Sequence, residues 1–215
     1  MARTIRTKVY KFNELSKEAK QNAVAQYLYN DGIDTDSVYD DAHKTVKAFH
    51  ELFETKENTK SWLDFEIVST YRHDDYLNLT GLRLRKYIIN NFYGGLYKGK
   101  YFSLWSKKEK SYKHYKDGYP VLKNRHSRVL FDNACTLTGV CYDDSILQPV
   151  YDFLNNYKLK SDYYSYMNFE TLVNDCFASL KSDIDSEIEA MSTFEYVSEM
   201  LISNEYEFLK DGTKY

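Results

Sequence analysis

Proline is nearly missing from this chain, with 2 residues in 215, and glycine is sparse at 8. So few backbone breakers exclude a loop-rich scaffold and favour uninterrupted helices and strands. Cysteine is scarce as well. Cys135, Cys141 and Cys176 are an odd set without a CxxC pair, which argues against a disulfide framework and for a reducing cytoplasm. Cys135 and Cys141 are expected to pack as small apolar groups. No apolar run approaches the ~18 residues of a membrane-spanning helix, so no membrane role is expected. Met1-Ala2-Arg3 leads into Ile5-Arg6-Thr7-Lys8-Val9 without a signal-peptide core, so secretion is not expected. No cofactor fingerprint is present, and none is expected to be needed.

What is abundant is aromatic and charged. Tyrosine occurs 22 times, and hydrophobic residues make up 43% of the chain, enough for a real core. Tyrosine has a flat apolar body and a polar tip, which suits core margins and recognition surfaces. The net charge of −3 conceals a strong segregation. Residues 83–128 carry 13 Lys/Arg against 2 Asp/Glu, a net +11, and residues 129–215 carry 5 against 16, a net −11. Asymmetry of this kind points to a charged partner.

Periodicity predicts the elements. Residues 5–12 read as a strand. Ser16 caps a helix with Ala19, Ala23, Val24, Tyr27 and Leu28 at helical spacing, ended by Asp31-Gly32. A second helix runs from Asp36 to Glu54 on Val38, Ala42, Val46, Phe49 and Phe53. Residues 56–61 read as polar connection. Trp62 to Tyr71 alternates as a half-buried strand, with 77–79 as a partner across a turn at 73–75. Gly81 opens a helix that Gly94, Gly95 and Gly99 break. Asp143 or Asp144 caps a helix with Pro149 in its first turn. Asn168 caps the longest helix, from Phe169 to Met191. Ser192-x-x-Glu195 reads as a capping box, and Asp211-Gly212 as a type I′ hairpin pair. These elements predict one α+β domain over 1–215, several helices packed on a small antiparallel sheet. A basic, aromatic-rich insertion at about 93–128 would be a hairpin, an irregular insertion or a mobile arm.

That insertion and the helix before it hold the candidate site. Arg83, Arg85, Lys86, Lys98, Lys100, Lys107, Lys108, Lys110, Lys113, Lys116, Lys123, Arg125 and Arg128 are interleaved with ten aromatics, among them Trp105 and Tyr112. Cations neutralise phosphates and rings stack on unpaired bases, so RNA, single-stranded DNA or a protein partner fits; pairing with the chain's own carboxylates is the alternative. Asp183/Glu187 and Asp185/Glu189 are like charges at i,i+4, an acidic face suited to mimicking a nucleic-acid backbone or simply to solvation. Gly94-Gly95-Leu96-Tyr97-Lys98-Gly99-Lys100 matches half of a phosphate-binding loop, but Tyr101 stands where Ser or Thr should bind magnesium. His114 and His126 are candidate general acid and base for a metal-free ribonuclease. His73-Asp74-Asp75 and Asp40-Asp41-x-His43 offer metal-ligand types without a recognised coordination pattern.

The chain ends, VYKFNELSKEAKQNAVAQY at 9–27 and SNEYEFLKDGTKY at 203–215, with CTLTGVCYDDSILQPVYDFL at 135–154, resemble a family of small proteins of phages and bacterial mobile elements. Its members open on a YxFxELSxEAKxxA segment and finish on NxYxFxxDGxxY. Many relatives are labelled hypothetical or antitoxin-like, and none offers a catalytic signature to carry over. The resemblance implies an accessory protein in a bacterial cytoplasm. Such proteins often disable host defence. The expectation is an anti-CRISPR protein whose partner is a Cas9-type effector or its guide RNA. A ribonuclease or RNA-modifying enzyme and a toxin-neutralising antitoxin are the alternatives.

Overall fold

The computed structural model describes residues 7–58, 60–67, 78–97, 103–106, 111–114, 136–139, 142–156 and 162–215. The fold is α+β, with helices dominant and the strands in antiparallel two-stranded ladders. The chain divides into two compact units, Met1–Ser37 with Asp185–Tyr215, and Val38–Ile184.

The first unit ties together the N-terminal and C-terminal parts of the chain. Strand β1 (Tyr10–Lys11) pairs with the strand near the C-terminus, Glu207–Phe208, placing Tyr10 opposite Phe208 and Lys11 opposite Glu207. Of the expected strand over 5–12, residues 5 and 6 lie outside the described ones, 7–9 are not strand, and Phe12 turns the chain into a short 3-10 segment (Phe12–Glu14). There Phe12 is buried and meets Phe208 edge-on at 5.9 Å. Helix α1 (Lys17–Asn30) starts as predicted: Ser16 Oγ accepts the Ala19 N–H at 3.3 Å. It closes on Gly32, whose φ of +72° is the left-handed conformation of a helix end. Ala19, Ala23 and Val24 bury against Phe12, Leu15, Val197, Leu201 and Phe208.

The Asp211-Gly212 turn forms, but not as type I′. The Gly212 N–H bonds the Leu209 carbonyl at 3.0 Å, and the Leu209 N–H bonds the Thr213 carbonyl at 2.8 Å. Gly212 has a φ of +89° and Asp211 does not share the left-handed region, so the loop is three residues, a turn followed by a left-handed glycine. Packing decides this: a Cβ on Gly212 would strike the Ala19 carbonyl in α1.

The second unit is built on α2 (Asp36–Phe53), α3 (Gly81–Tyr97), α4 (Tyr142–Asn156), α5 (Asp162–Tyr166) and α6 (Phe169–Met191), whose ends at Asp36 and Met191 run into the first unit. Its core holds the predicted stripes: Phe49, Phe53, Leu84, Ile88, Ile146, Leu147, Phe153, Phe169, Leu172 and Leu180 are fully buried. Phe53 touches rings on both sides, Phe49 at 4.7 Å and Phe92 at 5.0 Å. Asn168 caps α6, its Oδ1 accepting the Thr171 N–H at 2.8 Å.

Several local expectations are corrected. The polar stretch after α2 is not connection but strand β2 (Thr55–Asn58), paired with β3 (Ser61–Ile67). Asn58 Oδ1 holds the Lys60 N–H at 2.9 Å in the link, and so short a closure costs little chain entropy. The other expected partner of β3 does not form where it is described, since Asn78 is a turn residue and Leu79 belongs to no element, and Leu77 and the turn at 73–75 lie outside the described residues. Helix α3 runs through Gly94 and Gly95 instead of breaking there. A Cβ on Gly95 would overlap the Leu52 side chain, so the glycine serves close helix packing. Pro149 lies inside α4, not in its first turn, and withholds the N–H that the Ser145 carbonyl would accept. Asp143 also lies inside α4, and its carboxylate binds the loop before the helix: Oδ2 accepts the N–H of Leu137, Thr138 and Gly139 at 2.9, 2.6 and 3.0 Å. The next helix, α7 (Phe194–Ser203), is capped by Thr193, not Ser192. Thr193 Oγ1 accepts the Tyr196 N–H at 3.3 Å, while the Ser192 hydroxyl donates back to Ile188 at 2.8 Å. Part of the basic insertion is a hairpin, β4 (Ser103–Ser106) against β5 (Ser111–His114), and Glu207–Phe208 is β6.

Candidate functional site

The predicted basic site is only partly described. Lys98, Lys100, Lys107, Lys108, Lys110, Lys116, Lys123, Arg125 and Arg128 lie outside the described residues, as do His73, His126, Cys135 and Cys141. Trp105 on β4 pairs in register with Tyr112 on β5, and Leu104 pairs with Lys113. Arg83 and Lys86 are exposed on α3, whereas Arg85 is half-buried. Its Nε donates to the Leu154 carbonyl at 2.8 Å, one of the last carbonyls of α4, which lack helical donors. Arg85 therefore ties α3 to α4. Gly94 and Gly95 of the phosphate-loop match sit in the last turns of α3, with Leu96 buried, and not in a strand-to-helix loop that would turn amides toward a phosphate, while Gly99 lies outside the described residues.

The acidic half is better defined. Asp183, Asp185, Glu187 and Glu189 are all exposed along the C-terminal half of α6, and Glu195 and Glu199 are exposed on α7. Ion pairs between described residues join Lys11 to Glu205 and Glu207, Lys44 to Asp41, and Lys214 to Asp31. None of these takes up Asp183, Asp185 or Glu189. Asp183 accepts the Ser145 hydroxyl. Partial burial, and then the charge of Asp183, hold the Asp144 carboxyl above its ordinary value. Cys176, also on α6, is fully buried, and burial pushes its thiol pKa well up, so it is no nucleophile.

A cavity of about 580 Å³ opens between α2 and β2, at residues the sequence reading did not combine. From α2 it takes His43, Lys47, His50 and Glu51, which share a helix face by their spacing. From β2 it takes Thr55, Lys56 and Glu57. Glu54, with a φ of +54°, reverses the chain between the two elements. His50 is 8% exposed, with Nδ1 2.8 Å from Thr55 Oγ1 and its ring 5.7 Å from that of Phe177. Its Nε2 is buried without a hydrogen-bond partner, which costs about 1–3 kcal/mol. Burial holds the His50 pKa below its ordinary value, with Glu57 pulling weakly the other way, so the ring is neutral at pH 7. The His43 ring lies 4.0 Å from that of Trp62, inclined to it by 56°. The only hint in the sequence was the helical spacing of 43, 47, 50 and 51, since the strand side of the cavity read as loop.

Among the described residues no three His, Cys, Asp or Glu side chains converge as a metal centre requires, and Asp41 of the Asp40-Asp41-x-His43 set instead accepts Lys44 Nζ at 2.8 Å. No helix among them is long and apolar enough to cross a membrane. No protein-family model, curated protein or solved structure matches the chain.

Proposed function

We propose that this protein is a mobile-element anti-defence factor acting in the bacterial cytoplasm, one that inhibits a Cas9-type effector by binding the effector or its guide RNA. The observation that carries the reading is the charge split. A +11 aromatic-rich segment is followed by a −11 half whose carboxylates line the exposed C-terminal half of α6. Like charges at i,i+4 cost the helix about 0.2–0.5 kcal/mol per pair, a cost that a cationic nucleic-acid channel would relieve on docking. An effector of this kind holds its guide–target duplex in such a channel and carries RNA that the basic segment suits.

The test is target cleavage by guide-loaded effector titrated with this protein, with the guide examined afterwards on a denaturing gel. The expected result is loss of cleavage near equimolar protein with intact guide. Full cleavage with no co-purification refutes the reading, and a cut guide replaces it with the ribonuclease reading. Two variants divide the binding modes. Charge reversal at Asp185 and Glu189 should abolish docking on protein, and charge reversal at Lys107, Lys108 and Lys110 should abolish salt-sensitive binding to RNA.

A further inference from the structure

Beyond the charge split itself, two helix faces complement each other. On α3 the buried side chains Leu84, Ile88 and Phe92 set the inner face. Leu82, Arg83, Lys86 and Asn90 share the outer one, and all four are exposed. On α7 the inner face is Val197, Ser198 and Leu201. Glu195, Tyr196, Glu199 and Ile202 share the outer one and are likewise exposed. Each outer face mixes charge of one sign with large apolar side chains: Leu82 is 50% exposed on α3, and Tyr196 46% and Ile202 41% on α7. No ion pair between described residues takes up Arg83, Lys86, Glu195 or Glu199. The α3 cations also sit badly for their own helix. Its first turn is the positive end of the helix dipole and holds no acidic residue. Arg83 in that turn adds to the positive potential, and Lys86 follows one turn on. Carboxylates brought from outside would offset it.

We propose that this protein self-associates by seating α7 of one copy on α3 of another. Glu195 and Glu199 meet Arg83 and Lys86, and Leu82 meets the apolar side chains of Tyr196 and Ile202. A second copy is the occupant because the chain itself supplies both halves, and each face finds its complement in charge and in apolar surface on the other. The two faces differ, so the contact is heterologous and every copy presents one of each. Contact along a helix of 10 residues ranks with weak interfaces, so the copies exchange and association depends on protein concentration.

Sedimentation equilibrium on the full chain, from micromolar to submillimolar protein at low salt, tests this. The average mass should rise above that of the monomer with concentration and fall back at high salt. Glu195→Lys with Glu199→Lys makes one variant, and Arg83→Glu with Lys86→Glu a second. Each alone should weaken association at least tenfold, since like charges then face each other. An equimolar mixture of the two should restore it, because each reversed face meets its reversed complement and each native face its native one. Ile202→Ser leaves every charge in place and should also weaken association at least tenfold, which separates a docked contact from general attraction between the basic and acidic segments. All five side chains are exposed, so these variants keep the fold, which far-UV circular dichroism checks. A monomer at every concentration, association indifferent to either reversal or to Ile202→Ser, or a mixture that stays monomeric overturns the proposal. Self-association is measured on the protein alone, so its outcome is separate from that of the cleavage assay.

Discussion

Removing the Asp143 carboxylate should be among the most costly single changes in this protein. The side chain is fully buried at the start of α4 and accepts five hydrogen bonds from the described residues. Three come to Oδ2 from the backbone N–H groups of Leu137, Thr138 and Gly139, and two come to Oδ1 from the hydroxyls of Thr138 at 2.7 Å and Thr45 at 2.9 Å. In Asp143→Ala the hydroxyls can rotate to other partners, but the amides are fixed by the loop. Water reaches Gly139, which is exposed, more easily than Leu137 and Thr138, which are half-buried. Two poorly compensated amides at about 1–3 kcal/mol each give a loss of about 4 kcal/mol, in line with breaking a buried charged network. Asp143→Asn should cost only about 1–2 kcal/mol, because the amide oxygen still accepts the three N–H groups while its NH2 donates to the two hydroxyls. Urea unfolding followed by tryptophan fluorescence reads this directly, since Trp62 and Trp105 both belong to the second unit. An alanine variant within about 1 kcal/mol of wild type, or an asparagine variant as costly as alanine, refutes the account of the loop as held by this one carboxylate.

Two further expectations follow from the same kind of reasoning. Gly212→Ala and Gly32→Ala both place a side chain at positive φ, a strain of about 1–2 kcal/mol, but only the Cβ at Gly212 strikes the Ala19 carbonyl while that at Gly32 meets nothing within 4 Å. Thermal melts should show a clearly larger drop for Gly212→Ala, and equal drops would contradict the packing of the C-terminal turn on α1. His50 should make stability depend on pH. Its folded pKa lies below the ordinary value of 6.5, so below pH 6.5 the unfolded chain binds more protons, and stability falls as pH drops from 6.5 toward the folded pKa. The slope cannot exceed about 1.4 kcal/mol per pH unit for one proton. Urea midpoints at pH 7 and pH 5 should separate less in His50→Gln than in wild type, and identical pH dependence would show that the ring is not buried neutral.

The elements legible in the sequence are those whose cause is local. Ser16 and Asn168 cap their helices as read, because a side-chain oxygen next to an apolar run of helical period has one natural use. The Val38 to Phe53 and Phe169 to Ile184 stripes end in the core for the same reason. What misled was chemistry settled by distant partners. Thr-Lys-Glu-Asn at 55–58 has no strand signal of its own and becomes β2 through pairing with β3. Asp211-Gly212 announces a turn, but the turn type is fixed by how closely Gly212 lies on α1. Gly94 and Gly95 read as breakers, yet α3 continues through them because Gly95 gives Leu52 room.

The site shows the same division. Charge segregation is a property of composition, so the acidic run was visible before any fold, and its exposure on α6 follows from the buried stripe on the opposite face. For the other polar groups, residue type does not separate structural from functional use. Asp143, Arg85 and Asp183 are ordinary charged residues in the sequence, yet the first is fully buried beneath a loop, the second bonds a carbonyl of α4, and only the third is exposed. His50 differs again, since it becomes noteworthy only when β2 folds back and leaves one ring nitrogen buried without a partner. Apolar period finds a core because burial is the common fate of apolar side chains. Polar residues acquire their roles from the geometry of their partners, so a site made of them becomes visible only once those partners are placed.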